Sequence, residues 1–182
     1  VDYREARDGR LVLPEAAWID EDAFEGGAAI AELGEDVELT SEEEGVVDLV
    51  PIGSDGGVAV VRDPDDENVL ASYLLPAGME VAVGDGEFVE KGDPIARAAA
   101  GTTLTLPTVA RAEVRAAKAK KGVVTATLAV SWARSETFEI NPTMHVLVGD
   151  GAEVVAGEKI VGAIDAAQEI TAAADGTVHL HQ

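Results

Sequence analysis

Apolar and polar residues alternate in short runs along most of this chain, and the runs are cut by glycine and acidic residues. MEVAVG at 79–84 and MHVLVG at 144–149 show the alternation, as do Val124, Ala126, Leu128, Val130 and Trp132. A period of two over such short runs predicts half-buried β-strands. In GVAVVRDPDDENVLASYLLP the alternation from Val58 stops at Asp63-Pro64-Asp65-Asp66 and resumes at Val69, which predicts a hairpin with an acidic turn. LPTVARAEVRAAKAKKGVVTATLAVSWA predicts a second, larger hairpin with Gly122 in its turn. Its Ala-rich incoming arm also suits a helix by propensity, and strand is the reading taken here.

The same pattern recurs. LPAGMEVAVGDGEFVEKGDPIA (75–96) and INPTMHVLVGDGAEVVAGEKIV (140–161) align without a gap at an offset of 65 residues. Val89, Gly92 and Ile95 fall on Val154, Gly157 and Ile160. A fainter copy lies another 65 residues upstream, where Gly27, Ile30 and Ala31 fall on Gly92, Ile95 and Ala96. ELTSEEEGVVDL from Glu38 also matches EITAAADGTVHL from Glu169. In each hairpin the glycines Gly86, Gly92, Gly151 and Gly157 are expected to supply the positive φ of tight turns. The Val and Ile around the second turn then point into one small core. The chain reads as all-β and modular.

Composition narrows the function. Aromatic residues make up only 4%, so the cores must be built from Val, Ala, Leu and Ile. Thirteen basic against 35 acidic residues give a net charge of -22, which repels a phosphate backbone and argues against general nucleic-acid binding. Without cysteine there is no disulfide, thiolate nucleophile or Cys-based zinc site. No run approaches the ~20 apolar residues of a membrane-spanning helix, and nothing resembles a signal peptide. The first residue is Val, and the last strand, GTVHLHQ, ends without a closing element, so a segment of a longer chain is expected.

The third repeat resembles the biotinyl/lipoyl carrier hairpin, whose following turn bears the modified lysine. Here that turn reads Asp165-Ala166-Ala167-Gln168, with Gln168 at the lysine position, and Gln cannot form the amide. The chain following Ile95 and Ile30 in the other copies carries no lysine there either. No cofactor is expected, and a carrier-like or adaptor domain lacking its lysine is the alternative reading. Asp63, Asp65, Asp66 and Glu67, like Asp20 to Asp22, lack the spacing of a calcium loop and read as solvated turns. His179 and His181 are expected to alternate outward on the last strand while Val178 and Leu180 take its buried face. With no third ligand in view, no metal site is expected. No nucleophile has a base beside it and no phosphate-cradling loop occurs, so no catalytic residue is assigned. Arg111, Arg115, Lys118, Lys120 and Lys121 form the one cationic stretch, expected at a hairpin tip as a candidate interaction site for an acidic protein or an RNA.

One family accounts for the ordered set. LPEAAWIDEDAFEGGAAIAEL, EEEGVVDL, the two GDG hairpins, the second led in by Pro-Thr-Met-His, and DGTVHLH together resemble the large lineage-specific insertion of some bacterial RNA polymerase β′ subunits. The resemblance covers nearly the whole chain. It implies tandem barrel-sandwich hybrid and sandwich-barrel hybrid modules on the outside of a cytoplasmic polymerase. It also implies contacts to the rest of β′ and the core subunits, and to sigma or other transcription factors, rather than chemistry. The parent's magnesium loop NADFDGD and zinc cysteines do not occur here, so no catalytic or metal residue carries over. The expected organisation is an opening strand at 1–19 belonging to a preceding module, a first hybrid module at 20–107 and a second at 108–182.

Overall fold

The computed structural model describes residues 1–181. In chain order its strands are β1 (Asp2–Pro14), β2 (Ala23–Phe24), β3 (Ala29–Glu32), β4 (Val37–Thr40), β5 (Gly45–Ile52), β6 (Gly56–Arg62), β7 (Val69–Leu75), β8 (Glu80–Val81) and β9 (Phe88–Val89). There follow β10 (Pro94–Ala98), β11 (Thr103–Thr105), β12 (Ala110–Lys120), β13 (Val123–Ser135), β14 (Met144–Val146), β15 (Glu153–Val154), β16 (Lys159–Ala163), β17 (Ile170–Thr171) and β18 (Gly176–Thr177). The described residues contain no α-helix, and the protein is all-β. The Ala-rich arm before Gly122 is the eleven-residue strand β12, so pairing overrides its helix propensity.

Two compact units are resolved: Ala6–Ser131, and Val1–Glu5 together with the chain from Trp132. These groupings cut β1 and β13 and do not follow the expected modules at 20–107 and 108–182. In the larger unit the strands lie in the order β2-β12-β13-β1-β7-β6-β5-β9. The predicted 58–75 hairpin is the antiparallel pair β6 and β7.

Three copies of one small β unit occur, matched bond for bond. In the middle copy Gly92 N–H donates to the Ser41 carbonyl (2.7 Å) and Ser41 N–H returns to Asp93 (2.9 Å). The last copy repeats this with Gly157 to Ala172 (2.8 Å) and Ala172 to Glu158 (2.8 Å). The first repeats it with Gly27 to Leu106 and Leu106 to Ala28, both 2.9 Å. The neighbouring pairings agree: Ala96 lies between Leu39 and Val81, Val161 between Ile170 and Val146, and Ala31 between Leu104 and Trp18.

Their chain order differs. In the last copy the strands follow as β14 to β18. In the middle copy the counterparts of β17 and β18 are β4 and β5, which precede β8, so this copy is a circular permutant of the last. The first copy runs in the last copy's order, but its chain is interrupted between β3 and β11 by residues 34–102, which hold the middle copy. The repeats read from sequence as successive are therefore nested. Leu33 N–H donating to Thr102 (2.9 Å) and Gly101 N–H donating to Leu33 (2.8 Å) clamp the two ends of the insertion together.

Each repeated valine and isoleucine is buried in its own core. Val89 and Ile95 pack with Leu39, Val47, Tyr73 and Ala96, while Val154 and Ile160 pack with Tyr3, Val161, Ala172 and Val178. Met79 and Met144 sit at the edges of the two clusters. The turn glycines Gly86, Gly92, Gly151 and Gly157 have φ of 82, 95, 80 and 86°. A methyl group at Gly92 or Gly157 would meet nothing within 4 Å, so backbone conformation alone sets the cost. Gly92→Ala and Gly157→Ala are each expected to lose about 1–2 kcal/mol in urea unfolding. Equal midpoints for variant and parent would contradict this.

Candidate functional site

The turn that bears the lysine in carrier domains has a distinct fate in each copy. In the last copy it survives as the 3-10 turn Ala166–Gln168, capped by Asp165, whose carboxylate accepts from Ala167 N–H. Gln168 Oε1 accepts from the Thr143 hydroxyl at 3.0 Å, which ties the side chain at the lysine position to the turn that leads into β14. Ile164, just before the turn, is 91% exposed. In the first copy the equivalent turn is where the insertion enters and leaves. In the middle copy it is the permutation point, where Ala100 N–H donates to Asp36 Oδ1 across the opened ends. An open groove of about 540 Å³ lies there, lined among others by Asp36, Glu38, Glu80, Arg97 and Thr102. Two carrier-type turns are thus joined to each other.

The other sequence candidates separate by geometry. Asp63 Oδ1 accepts from the backbone of Asp65 and Asp66, and Asp66 Oδ1 from Asn68, so these carboxylates shape their own turn. Among the described residues no three His, Asp or Glu side chains come together as metal ligands. β18 ends at Thr177, before the two histidines. Val178 is buried as expected, but Leu180 is 44% exposed. The last backbone pairing is that of Val178 with Gly151 and Ala152, and beyond it strand alternation does not place Leu180. His179 Nε2 lies 3.1 Å from Asp2. The Ser135 hydroxyl donating to Asp2 is the main cause holding that carboxyl below its usual range.

The five basic residues do not gather at one tip. They are strung along β12 and its turn, so Arg111 stands about ten residues, or roughly 30 Å of strand, from the hairpin end. Arg111 pairs with Glu25 at 3.2 Å and Arg115 with Asp8 at 3.4 Å, both exposed. Such exposed pairs contribute little to stability. Lys118, Lys120 and Lys121 are exposed and have no carboxylate within 4 Å among the described residues. Lys121 (φ 53°) and Gly122 (φ 79°) form the two-residue turn, the positive φ pair that a tight hairpin requires. Glu15 N–H donates to the Gly122 carbonyl at 2.8 Å, so the end of β1 braces this turn. Sequence reasoning missed that brace, because nothing local to Glu15 or Gly122 marks a partner more than a hundred residues away.

Comparison with known proteins agrees with this architecture. A family model described as "DNA-directed RNA polymerase subunit beta', hybrid domain" matches residues 30–131, just over half of the chain and entirely within the larger unit. The DNA-directed RNA polymerase subunit beta' of Thermus thermophilus is 40% identical over 182 residues, covering 100% of this chain. That of Thermus aquaticus is 39% identical over the same length, and that of Deinococcus radiodurans 37% identical over 194 residues, covering 99% of this chain. The chain spans 12% of the length of each of these relatives. It belongs to the hybrid-domain family of the β′ subunit of DNA-directed RNA polymerase.

Proposed function

We propose that this segment is a non-catalytic scaffold within the β′ subunit of a cytoplasmic, DNA-directed RNA polymerase. It would contact the remainder of β′ and the core subunits and present a docking surface to sigma or another transcription factor. Nucleotidyl transfer would belong to the parent enzyme, with magnesium and zinc held elsewhere in it. The observation that carries this reading is how the repeats use their residues. Matched positions in the copies are turn glycines, core side chains, backbone pairings and turn carboxylates, Asp85 accepting from Leu49 N–H as Asp150 does from Leu180 N–H. What is not repeated is surface, chiefly the β12–β13 hairpin with its lysines.

The test is a reconstituted polymerase whose β′ lacks these 182 residues. Assembled core is expected to retain nucleotide addition on a primed template within about twofold, while its affinity for sigma or a second factor falls at least about tenfold. A core that assembles but no longer adds nucleotides would overturn the non-catalytic reading. Unchanged binding across the transcription factors tested would overturn the scaffold. The carrier alternative is addressed separately: on co-expression with a biotin ligase, the parent chain and Gln168→Lys are both expected to keep their unmodified mass. A biotin adduct on the parent chain would reinstate it.

A further inference from the structure

The outer edge of β12 is paired at its start and open beyond. β2 meets it only at Ala112 with Phe24 and Glu113 with Ala23, followed by Val114 N–H donating to the Asp22 carbonyl at 2.8 Å. The chain then turns away, with Glu21 N–H donating to Ile19. Past Arg115 no strand among the described residues lies on that side. In a two-residue turn Lys120 turns its backbone groups to Val123, so strand alternation counted back from the turn leaves the N–H and C=O of Ala119 and Ala117 on the open side, facing solvent. Every residue from Arg115 to Val123 is exposed.

Charge along this edge is sorted. From Val114 to Ser135 the chain has five basic residues and no acidic one, although 35 acids occur in 182 residues. Arg115 and Arg134 are neutralised by Asp8 and by Glu5 with Glu136. The lysines are not. Lysine on an open edge is a known device against self-pairing, since two copies of this edge would set lysine against lysine. The same lysines favour a strand of opposite charge, so the device selects a partner as well as rejecting one. A nucleic acid is also anionic, but its dense phosphate charge must approach a body of net charge -22, and it offers no row of backbone groups matched to a strand edge.

We infer that the edge Ala116–Lys120 is a β-addition site for an acidic, extended segment of a partner protein. The segment binds through the backbone groups of Ala117 and Ala119, and Lys118, Lys120 and Lys121 read its carboxylates. This deepens the scaffold reading and relies on it only for the partner being a protein. Peptide binding to the isolated chain and the effect of deleting the segment from polymerase can therefore fail independently.

The probe is a fluorescein-labelled peptide of about eight residues alternating glutamate with valine, titrated into the 182-residue chain and followed by anisotropy, with a labelled thymidine oligonucleotide in parallel. Saturable peptide binding is expected, weakened at least about tenfold in K118E/K120E/K121E and again in Ala119→Pro, which keeps all three lysines but removes one outward donor. Hydrogen exchange at the Ala117 and Ala119 amides is expected to slow when peptide binds, and circular dichroism checks that both variants fold. The inference is overturned if no peptide binding saturates. Full affinity in folded Ala119→Pro would show charge attraction without strand addition and also overturn it, as would tighter binding of the oligonucleotide than of the peptide.

Discussion

Replacing Gly45 or Gly176 by alanine is expected to destabilise the unit that holds it by about 3 kcal/mol, near the top of the range for forced overpacking. The two glycines are counterparts: Gly45 pairs with Val89 as Gly176 pairs with Val154. Behind each runs another strand. A Cβ on Gly45 would fall far inside van der Waals contact of the Arg62 carbonyl oxygen, and one on Gly176 of the Asp2 carbonyl oxygen. Both obstacles are backbone in a strand ladder, where Val46 pairs with Arg62 and Thr177 with Asp2, so neither can swing aside as a flexible side chain would. Gly34 has open space at the same test and no positive φ, and Gly34→Ala is expected to change stability by less than about 0.5 kcal/mol. Urea unfolding followed by tryptophan fluorescence can report each unit, because Trp18 lies in the larger and Trp132 in the smaller. W132F and W18F backgrounds isolate the two signals. A loss at Gly45 or Gly176 no larger than at Gly34 would mean the strands behind them are misplaced.

How much of this was legible in sequence depends on the range of the interaction. The turn glycines and the Val/Ile pairs lie within a dozen residues of each other, and their spacing alone located both the hairpins and the core positions. The match between Glu38 and Glu169 was also visible, but its meaning was not. It links the middle copy's β4 and β5 to the last copy's β17 and β18, which is the permutation, and only the pairing of β4 with β10 reveals it. The nesting rests on Leu33, Gly101 and Thr102, an unremarkable set in sequence that is joined by backbone bonds. Strands this short pair through backbone groups common to all residues, so the order of pairing leaves little trace in side-chain identity. The basic stretch shows the same limit. Its charges were plain, but their spread along β12 and the open edge beside it depend on where the two-residue strand β2 stops.

The same matched positions set up the largest expected loss. Ile95 and Ile160 are counterparts, 0 and 2% exposed, each at the centre of its copy's core. Truncation to alanine leaves a cavity in either place and costs about 3–4 kcal/mol. The consequences should differ because the cores do. Around Ile95 the β6–β7 hairpin adds Ala59, Val61, Tyr73 and Leu75, and the Tyr73 hydroxyl accepts from Glu42 N–H at 2.9 Å. Around Ile160 the buried set is smaller, and the hydroxyl of its one buried tyrosine, Tyr3, has no partner among the described residues. A small core has less surplus stability to lose. Ile95→Ala is therefore expected to stay folded with a lower urea midpoint, whereas Ile160→Ala brings its unit close to its unfolding midpoint at room temperature. Limited proteolysis read by mass spectrometry separates the two. Ile160→Ala should be cut between residues 144 and 178 while 6–131 stays protected, and Ile95→Ala should resist at the same protease dose. If Ile160→Ala proved as resistant as the parent chain, the last copy would not depend on the core that its sequence repeat implies.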